Sequence, residues 1–129
     1  MKVLIVEQEK TLQQSISYFL ERYSQCEVFL AHSKREGLSL SQMIPFDTVL
    51  CGDRLPDGEG FELLQELMRR DPRMVPVLMS VRSDESSREK AMKAGIRSYL
   101  VKPFDLNQLE EAMGLRSHSH HITKGGEAR

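Results

Sequence analysis

Residues 2–20 read KVLIVEQEKTLQQSISYFL, a short apolar run followed by a longer amphipathic stretch. The run at residues 3–6 is apolar at every position and rich in β-branched residues, which is typical of a strand covered on both faces. The stretch after it places apolar residues at the spacing of one helix face. These residues are Leu12, Ile16, Phe19, Leu20 and Tyr23. The segment therefore predicts a strand–helix unit.

The same unit recurs four times along the chain. Further apolar runs lie at residues 28–31, 48–51, 75–79 and 99–101. Helix signals follow each of them. The second helix is indicated by a capping box from Ser33 to Glu36 and by Pro45 after it, and the third by an apolar face at Phe61, Leu64 and Met68. A weakly apolar fourth helix covers residues 84–94 before Gly95, and Asp105 can cap the fifth.

Five strands alternating with five helices predict a single doubly wound α/β domain of the flavodoxin-like (βα)5 type. The expected sheet is parallel with the strand order 2-1-3-4-5, since right-handed crossovers leave few other topologies. We expect this domain to cover residues 1–116. The periodicity stops after it, so residues 117–129 are interpreted as a flexible tail or linker.

The amino-acid composition argues against several classes of function. The 129 residues carry 18 Lys and Arg against 19 Asp and Glu, a formal net charge of −1. This balance argues against nucleic-acid binding by the domain and gives no polybasic signal for a membrane. Two cysteines, Cys26 and Cys51, are too few for a disulfide framework and are expected to be buried thiols in a reducing compartment. The first apolar run is too short for a signal peptide, so we expect a cytoplasmic protein.

Polar or charged residues stand at or just after the ends of four of the predicted strands. Glu7 and Gln8 follow the first strand, Gly52 and Asp53 the third, Ser80 the fourth and Lys102 the fifth. In open α/β sheets the functional site lies at these carboxyl ends. The residues alone are compatible with a phosphate, a metal with a phosphate, or a fixed ion-pair network.

Two longer segments resemble a known family. Residues 55–64 read LPDGEGFELL and residues 94–105 read AGIRSYLVKPFD. With the strand ends, they resemble the response-regulator receiver domain of two-component signalling, over about residues 2–115. The resemblance implies an Asp nucleophile after the third strand and two acidic ligands for Mg²⁺ after the first. It also implies a phosphate-pocket lysine at Lys102, a switching hydroxyl at Ser80, a switching aromatic at Tyr99, and a cis bond before Pro103.

The sequence departs from that pattern where the chemistry would occur. Counting from Pro56 and from Asp47 places Gly52 at the phosphoacceptor position, and glycine carries no nucleophile. Asp53 comes one residue late, and successive side chains of a strand point to opposite faces. The metal set would be Glu7, Gln8 and Asp53, in which Gln8 is uncharged. We therefore expect a degenerate site with weak or absent Mg²⁺ binding and no other cofactor.

The resulting expectation is a pseudo-receiver that acts by protein–protein interaction, without phosphorylation, and is not an enzyme. Its partners would be a histidine kinase or an output domain, with a homodimer formed through the fourth helix, fifth strand and fifth helix. The alternative is a working receiver that phosphorylates itself on Asp53. A small-molecule binder is disfavoured, because the acids Glu7 and Glu9 would repel phosphate. We also expect Lys102 to pair with Glu7 or Asp53, since a partly buried ammonium needs an anionic partner.

Overall fold

The computed structural model describes residues 1–115, in which five parallel strands form a single sheet. Its strands are β1 (Lys2–Val6), β2 (Glu27–Ala31), β3 (Thr48–Gly52), β6 (Val75–Ser80) and β7 (Ser98–Val101). A separate antiparallel hairpin is formed by β4 (Arg54–Leu55) and β5 (Gly58–Glu59). The predicted tail at residues 117–129 lies outside the described residues, so the domain boundary at residue 116 stays a prediction.

Five helices connect or follow the sheet strands. They are α1 (Lys10–Leu20), α2 (Lys34–Met43), α3 (Gly60–Arg70), α4 (Glu85–Lys93) and α5 (Leu106–Met113). None of the helices within residues 1–115 has the length and apolar character needed to cross a bilayer.

The sheet order is β2-β1-β3-β6-β7. Counted over the sheet strands alone this is 2-1-3-4-5, so the predicted doubly wound α/β fold is confirmed. The parallel register pairs Val6 with Cys51, Gly52 with Met79 and Ser80 with Val101. These pairings align the carboxyl ends of the strands along the same edge.

Alternating strand residues divide the core between the two faces of the sheet. Leu4, Val6 and Cys51 pack with residues of α2, α3 and α4, whereas Val3, Ile5 and Leu50 pack with residues of α1 and α5. The strands in the middle of the sheet are therefore covered by helices on both faces, which explains why their sequences are continuous apolar runs.

Two local details differ from the sequence-based predictions, and a third, the burial of Gln13, was not predicted. Gln13 is buried on α1, where its amide donates to the carbonyls of Ile5 (3.0 Å) and Ala31 (2.8 Å). At the start of α2 the Ser33 hydroxyl accepts from the Glu36 amide, but the Glu36 carboxylate accepts from His32, so the box is not reciprocal. Cys51 is buried as expected, whereas Cys26 is only half-buried.

Candidate functional site

The switch in strand order brings the predicted site residues to one edge of the sheet. The chain runs from β1 outward to β2, then returns to the other side of β1 to form β3. A crevice opens at such a point beyond the carboxyl ends of the strands. Glu7 follows β1, Gly52 ends β3, Ser80 ends β6 and Lys102 follows β7. Because the parallel strands end level, these four residues meet above the sheet.

Glu7 and Lys102 form a largely buried ion pair. The Lys102 ammonium lies 3.1 Å from Glu7 Oε1, and the side chains are 16% and 1% exposed. The other Glu7 oxygen accepts from the Glu9 amide at 3.1 Å, and the Glu9 carboxylate lies 3.7 Å from the same ammonium. Of the two partners expected for Lys102, the structure therefore selects Glu7. The bond between Lys102 and Pro103 is cis.

The Glu7 carboxylate occupies the space beside Gly52. A Cβ atom added at Gly52 would lie 2.4 Å from Glu7 Oε1 and 3.1 Å from its Cδ. Real Cβ atoms essentially never approach an oxygen that closely. The absence of a side chain at residue 52 leaves the space in which the Glu7 carboxylate lies.

Asp53 belongs to a second hydrogen-bonded group. Its amide donates to the Met79 carbonyl at 2.7 Å and its carbonyl accepts from Gly60 at 2.8 Å, which fixes its backbone. The Ser80 hydroxyl donates to Asp53 Oδ2 at 3.0 Å. Within residues 1–115, Asp53 forms no ion pair with Lys102. The one-residue offset thus separates this carboxylate from the lysine.

Tyr99 is tied to the loop between β6 and α4. Its hydroxyl donates to the Arg82 carbonyl at 2.8 Å, and the Arg82 amide donates to Ser80 Oγ at 3.0 Å. The Arg88 guanidinium lies over the Tyr99 ring, 5.5 Å from its centroid. A continuous set of hydrogen bonds therefore runs from Asp53 through Ser80 and the Arg82 backbone to Tyr99.

Cys51 is another potential nucleophile of the site, because its thiol interacts electrostatically with both Glu7 and Lys102. Complete burial, and then the charges of Glu7 and Asp53, raise the pKa of its thiol well above the usual range. Its Sγ lies 3.4 Å from the Gly52 carbonyl oxygen. Because the thiolate is the nucleophilic form, the raised pKa and the burial make Cys51 a poor nucleophile.

The side chains expected to hold Mg²⁺ do not form a single ligand set in this structure. Mg²⁺ requires near-octahedral oxygen ligands, usually one or two carboxylates together with waters and substrate phosphates. Here Glu7 is bound to Lys102, Gln8 is an exposed neutral amide, and Asp53 accepts from Ser80 in the other group. No group of three or more His, Cys, Asp or Glu residues suited to a metal lies within the described part of the chain.

Sequence reasoning did not single out Arg54 and Arg82. Both are exposed and line the crevice beside Asp53. Their only sequence signal is position, since each follows the end of a sheet strand by two residues. Periodicity carries no information about residues in such short segments between the sheet strands and the helices.

A doubly wound α/β domain with a lysine, a hydroxyl and carboxylates at its strand ends defines a flavodoxin-like module with one strand-end site. The chain belongs to the response regulator receiver domain family, whose model matches residues 3–114. Members of this family are signalling modules of two-component systems and not catalytic ones.

Curated relatives support this membership. The chain is 36% identical over 120 residues to the KDP operon transcriptional regulatory protein KdpE of Escherichia coli, covering 91% of this chain and 52% of KdpE. It is 32% identical over 110 residues to the response regulator protein PilR of Pseudomonas aeruginosa, covering 85% of this chain and 24% of PilR. The chain thus spans about half of one relative and a quarter of the other.

Solved structures agree with the fold. A receiver domain protein from Clostridium thermocellum is 30% identical, with a TM-score of 0.78 over 88% of this chain and 90% of that one. A CheY-like receiver domain from Methanospirillum hungatei is 27% identical, with a TM-score of 0.79 over 88% and 90% of the two chains.

Proposed function

We propose that this receiver domain signals by protein–protein interaction without phosphorylation of an aspartate. The observation that carries the proposal is the position of Glu7, whose carboxylate fills the space beside Gly52 and is bound to Lys102. A carboxylate and a lysine lie close together, as in a phosphoacceptor site. Here, however, the carboxylate belongs to the buried Glu7, which follows β1, and not to a residue at the end of β3.

Phosphoryl transfer has requirements that the Glu7–Lys102 pair does not meet. It needs an accessible nucleophilic carboxylate and cations free to neutralise charge on the transferred group. Glu7 is 1% exposed, and its partner Lys102 is already neutralised by it. The oxygen ligands that would hold a metal are divided between the two hydrogen-bonded groups. These features favour a fixed pocket over a reactive one.

Asp53 phosphorylation is the second candidate, and one observation favours it. Asp53 is half-buried and borders two cavities, so a phosphoryl donor could approach its carboxylate. Against this, Asp53 accepts a hydrogen bond from Ser80 and has no cation within ion-pair distance among residues 1–115. We therefore rank it below the phosphorylation-independent function.

The proposed binding partners are those expected for a member of this family. We infer a histidine kinase or an output domain as the partner, since the relatives that the chain matches are longer regulatory proteins. The face formed by α4, β7 and α5 would serve for this contact or for a homodimer. Such a role requires the cytoplasmic location expected from the sequence.

Acetyl phosphate with Mg²⁺, followed by prompt intact-mass measurement, tests the proposal. We expect no phosphoryl adduct on this chain, whereas a receiver domain with Asp at the acceptor position, treated in parallel, should gain one. The matched variant is Asp53→Asn. A phosphoryl adduct on the native chain that is lost in this variant would show that the second candidate is correct.

A further inference from the structure

A small apolar cavity opens between the last turns of α2 and α3, and we call it the α2–α3 cavity. It has a volume of about 50 Å³. Its walls include Ile44, Pro45, Phe46, Leu67 and Met74. Phe46 shortly precedes β3 and Met74 directly precedes β6, so the cavity lies near the amino ends of these strands. It is therefore at the edge of the sheet opposite the candidate functional site.

Met43, the last residue of α2, places an exposed apolar side chain beside this cavity. Its relative exposure of 79% is the highest among the large apolar residues of the described range 1–115. The next residue, Ile44, already lines the cavity. A side chain as exposed as that of Met43 does not fill the cavity of its own chain. An apolar side chain and an apolar hollow are thus both left open to water on one small surface, which is the usual mark of an interaction site.

We propose that this surface is a twofold interface between two copies of the chain, in which Met43 of each copy enters the α2–α3 cavity of the other. In a twofold dimer a single patch serves both partners, so a projecting side chain next to a cavity is complementary to itself. The cavity accepts the end of one side chain and no ring-sized ligand, since a cavity that binds benzene measures about 150 Å³. Methionine suits it, because its unbranched, flexible side chain fills irregular apolar gaps.

The charges at the border of the cavity favour a second copy of the chain over a strongly charged partner. The two charged residues that line the cavity are Arg70 and Asp71. Arg70 lies 2.8 Å from Glu66, and Arg73 lies 3.7 Å from Asp71. Two cations and two anions therefore give a border without net charge, so two such borders meet without net repulsion. In the twofold arrangement Arg70 of one copy faces Asp71 of the other, which surrounds the apolar centre with opposite charges, as in other protein interfaces.

Sedimentation velocity of the full 129-residue chain, from micromolar to millimolar concentrations, tests the proposal. We expect a reversible monomer–dimer equilibrium. Met43→Gln keeps the length of the side chain and removes its apolar character, so it should raise the dissociation constant of the dimer by about tenfold or more, which is about 1.4 kcal/mol. The substitution acts twice in each dimer. Ser41→Leu should have a similar effect from the other side of the contact, because it places a larger side chain at the wall of the cavity.

A mixture of these two variants tests whether Met43 enters the cavity. In a mixed pair, Met43 of the Ser41→Leu copy meets the unaltered cavity of the Met43→Gln copy, so one of the two contacts is restored. The mixture should therefore associate more tightly than either variant alone and more weakly than the native chain. A mixture no tighter than the separate variants would overturn the proposed contact.

Two control variants separate this interface from other surfaces. Tyr18→Gln removes an apolar side chain of similar exposure, 72%, from α1 on the other face of the sheet. Met92→Gln makes the same chemical change as Met43→Gln, but on α4. Neither should change the dissociation constant. A native chain that stays monomeric at millimolar concentration, a Met43→Gln dimer as stable as the native one, or an equal effect of Met92→Gln would each overturn the proposal. None of these outcomes depends on whether Asp53 accepts a phosphoryl group.

Discussion

At the scale of single residues, Gly52 and Glu7 act as a matched pair. The Glu7 carboxylate is held by Lys102 and by the Glu9 amide, and it lies where the first atom of any side chain at residue 52 would be. A flexible side chain in solution could move aside at little cost. Here the carboxylate is buried, so moving it also separates an ion pair in a region of low dielectric.

Gly52→Ala should therefore destabilise the domain although it adds only a methyl group. We expect a loss of about 1–3 kcal/mol, the usual cost of overpacking a buried site. The free energy of unfolding from urea denaturation provides the measurement.

The double variant Gly52→Ala/Glu7→Asp is the control for this effect. The shorter carboxylate withdraws from residue 52, so the two substitutions should cost less together than the sum of their separate costs. Additive costs would contradict the coupling between the two residues.

Sequence reasoning predicted part of this arrangement. The sequence placed Gly52 at the end of the third strand, and β3 ends at that residue. Its assignment to the phosphoacceptor position, by counting from Pro56 and Asp47, stays a prediction. The role of Glu7 in filling the vacant space was not predictable, since it depends on which rotamer meets Lys102 in three dimensions. The sequence left open whether Lys102 would pair with Glu7 or with Asp53, and the bond of Asp53 to Ser80 depends on the register of β3 with β6.

At the scale of elements, the start of α2 is stabilised from another loop. The Asp57 carboxylate accepts from the Lys34 amide at 2.8 Å and from the Arg35 amide at 2.9 Å. These two backbone hydrogen bonds lower the pKa of Asp57 below its ordinary value of 3.8. The loop after β3 and the first turn of α2 are thereby joined by an ionised group.

Asp57→Ala should destabilise the domain by about 1 kcal/mol at neutral pH, as expected for the loss of a helix cap. Because the folded-state pKa is lowered, the stabilisation is present above the ordinary value near 4 and is lost as the pH falls through the folded value. The difference between the native chain and the variant should therefore shrink below about pH 4. Urea denaturation at pH 7, 5 and 3 measures it.

The exposed acid Glu89 on α4 provides a comparison for this pH dependence. Glu89→Gln removes a carboxylate without touching the start of α2, so its effect at neutral pH should be much smaller. A pH-independent difference for Asp57→Ala would contradict an ionised cap.

The elements differ in how well the sequence predicted them. The capping box of α5 is complete, with Asp105 and Gln108 each bonded to the other's backbone amide. The hairpin of β4 and β5 was missed, because strands of two residues have no detectable alternation. The weak apolar face expected for α4 is present, since Ala91 is its only buried residue.

At the scale of the whole molecule, the site should make stability independent of Mg²⁺. An ion that binds only the folded state raises the melting temperature of the protein once the ion concentration exceeds the dissociation constant. With the carboxylates divided between two groups, we expect the same melting temperature in millimolar MgCl₂ and in EDTA. Scanning calorimetry checks this, with matched ionic strength as the control. A clear rise with MgCl₂ would show that the oxygen ligands can rearrange around the ion.

The fold as a whole was predictable because its signals are repeated. Apolar runs gave the strands, the period of 3.6 gave most helices, and the handedness of crossovers left one leading order. Buried polar residues such as Gln13 were not predictable, since their hydrogen-bond partners on β1 and β2 are distant in sequence.

The ion pair of Glu7 and Lys102 joins residues that are 95 positions apart in the chain. During synthesis, Glu7 emerges with the first strand and has no cation at this site until the last strand has been made. A shorter fragment that closed its core around Glu7 would bury an uncompensated charge. The ion pair of Glu7 and Lys102 therefore cannot form before the last strand has been synthesised, so folding of the domain is completed only when that strand is present.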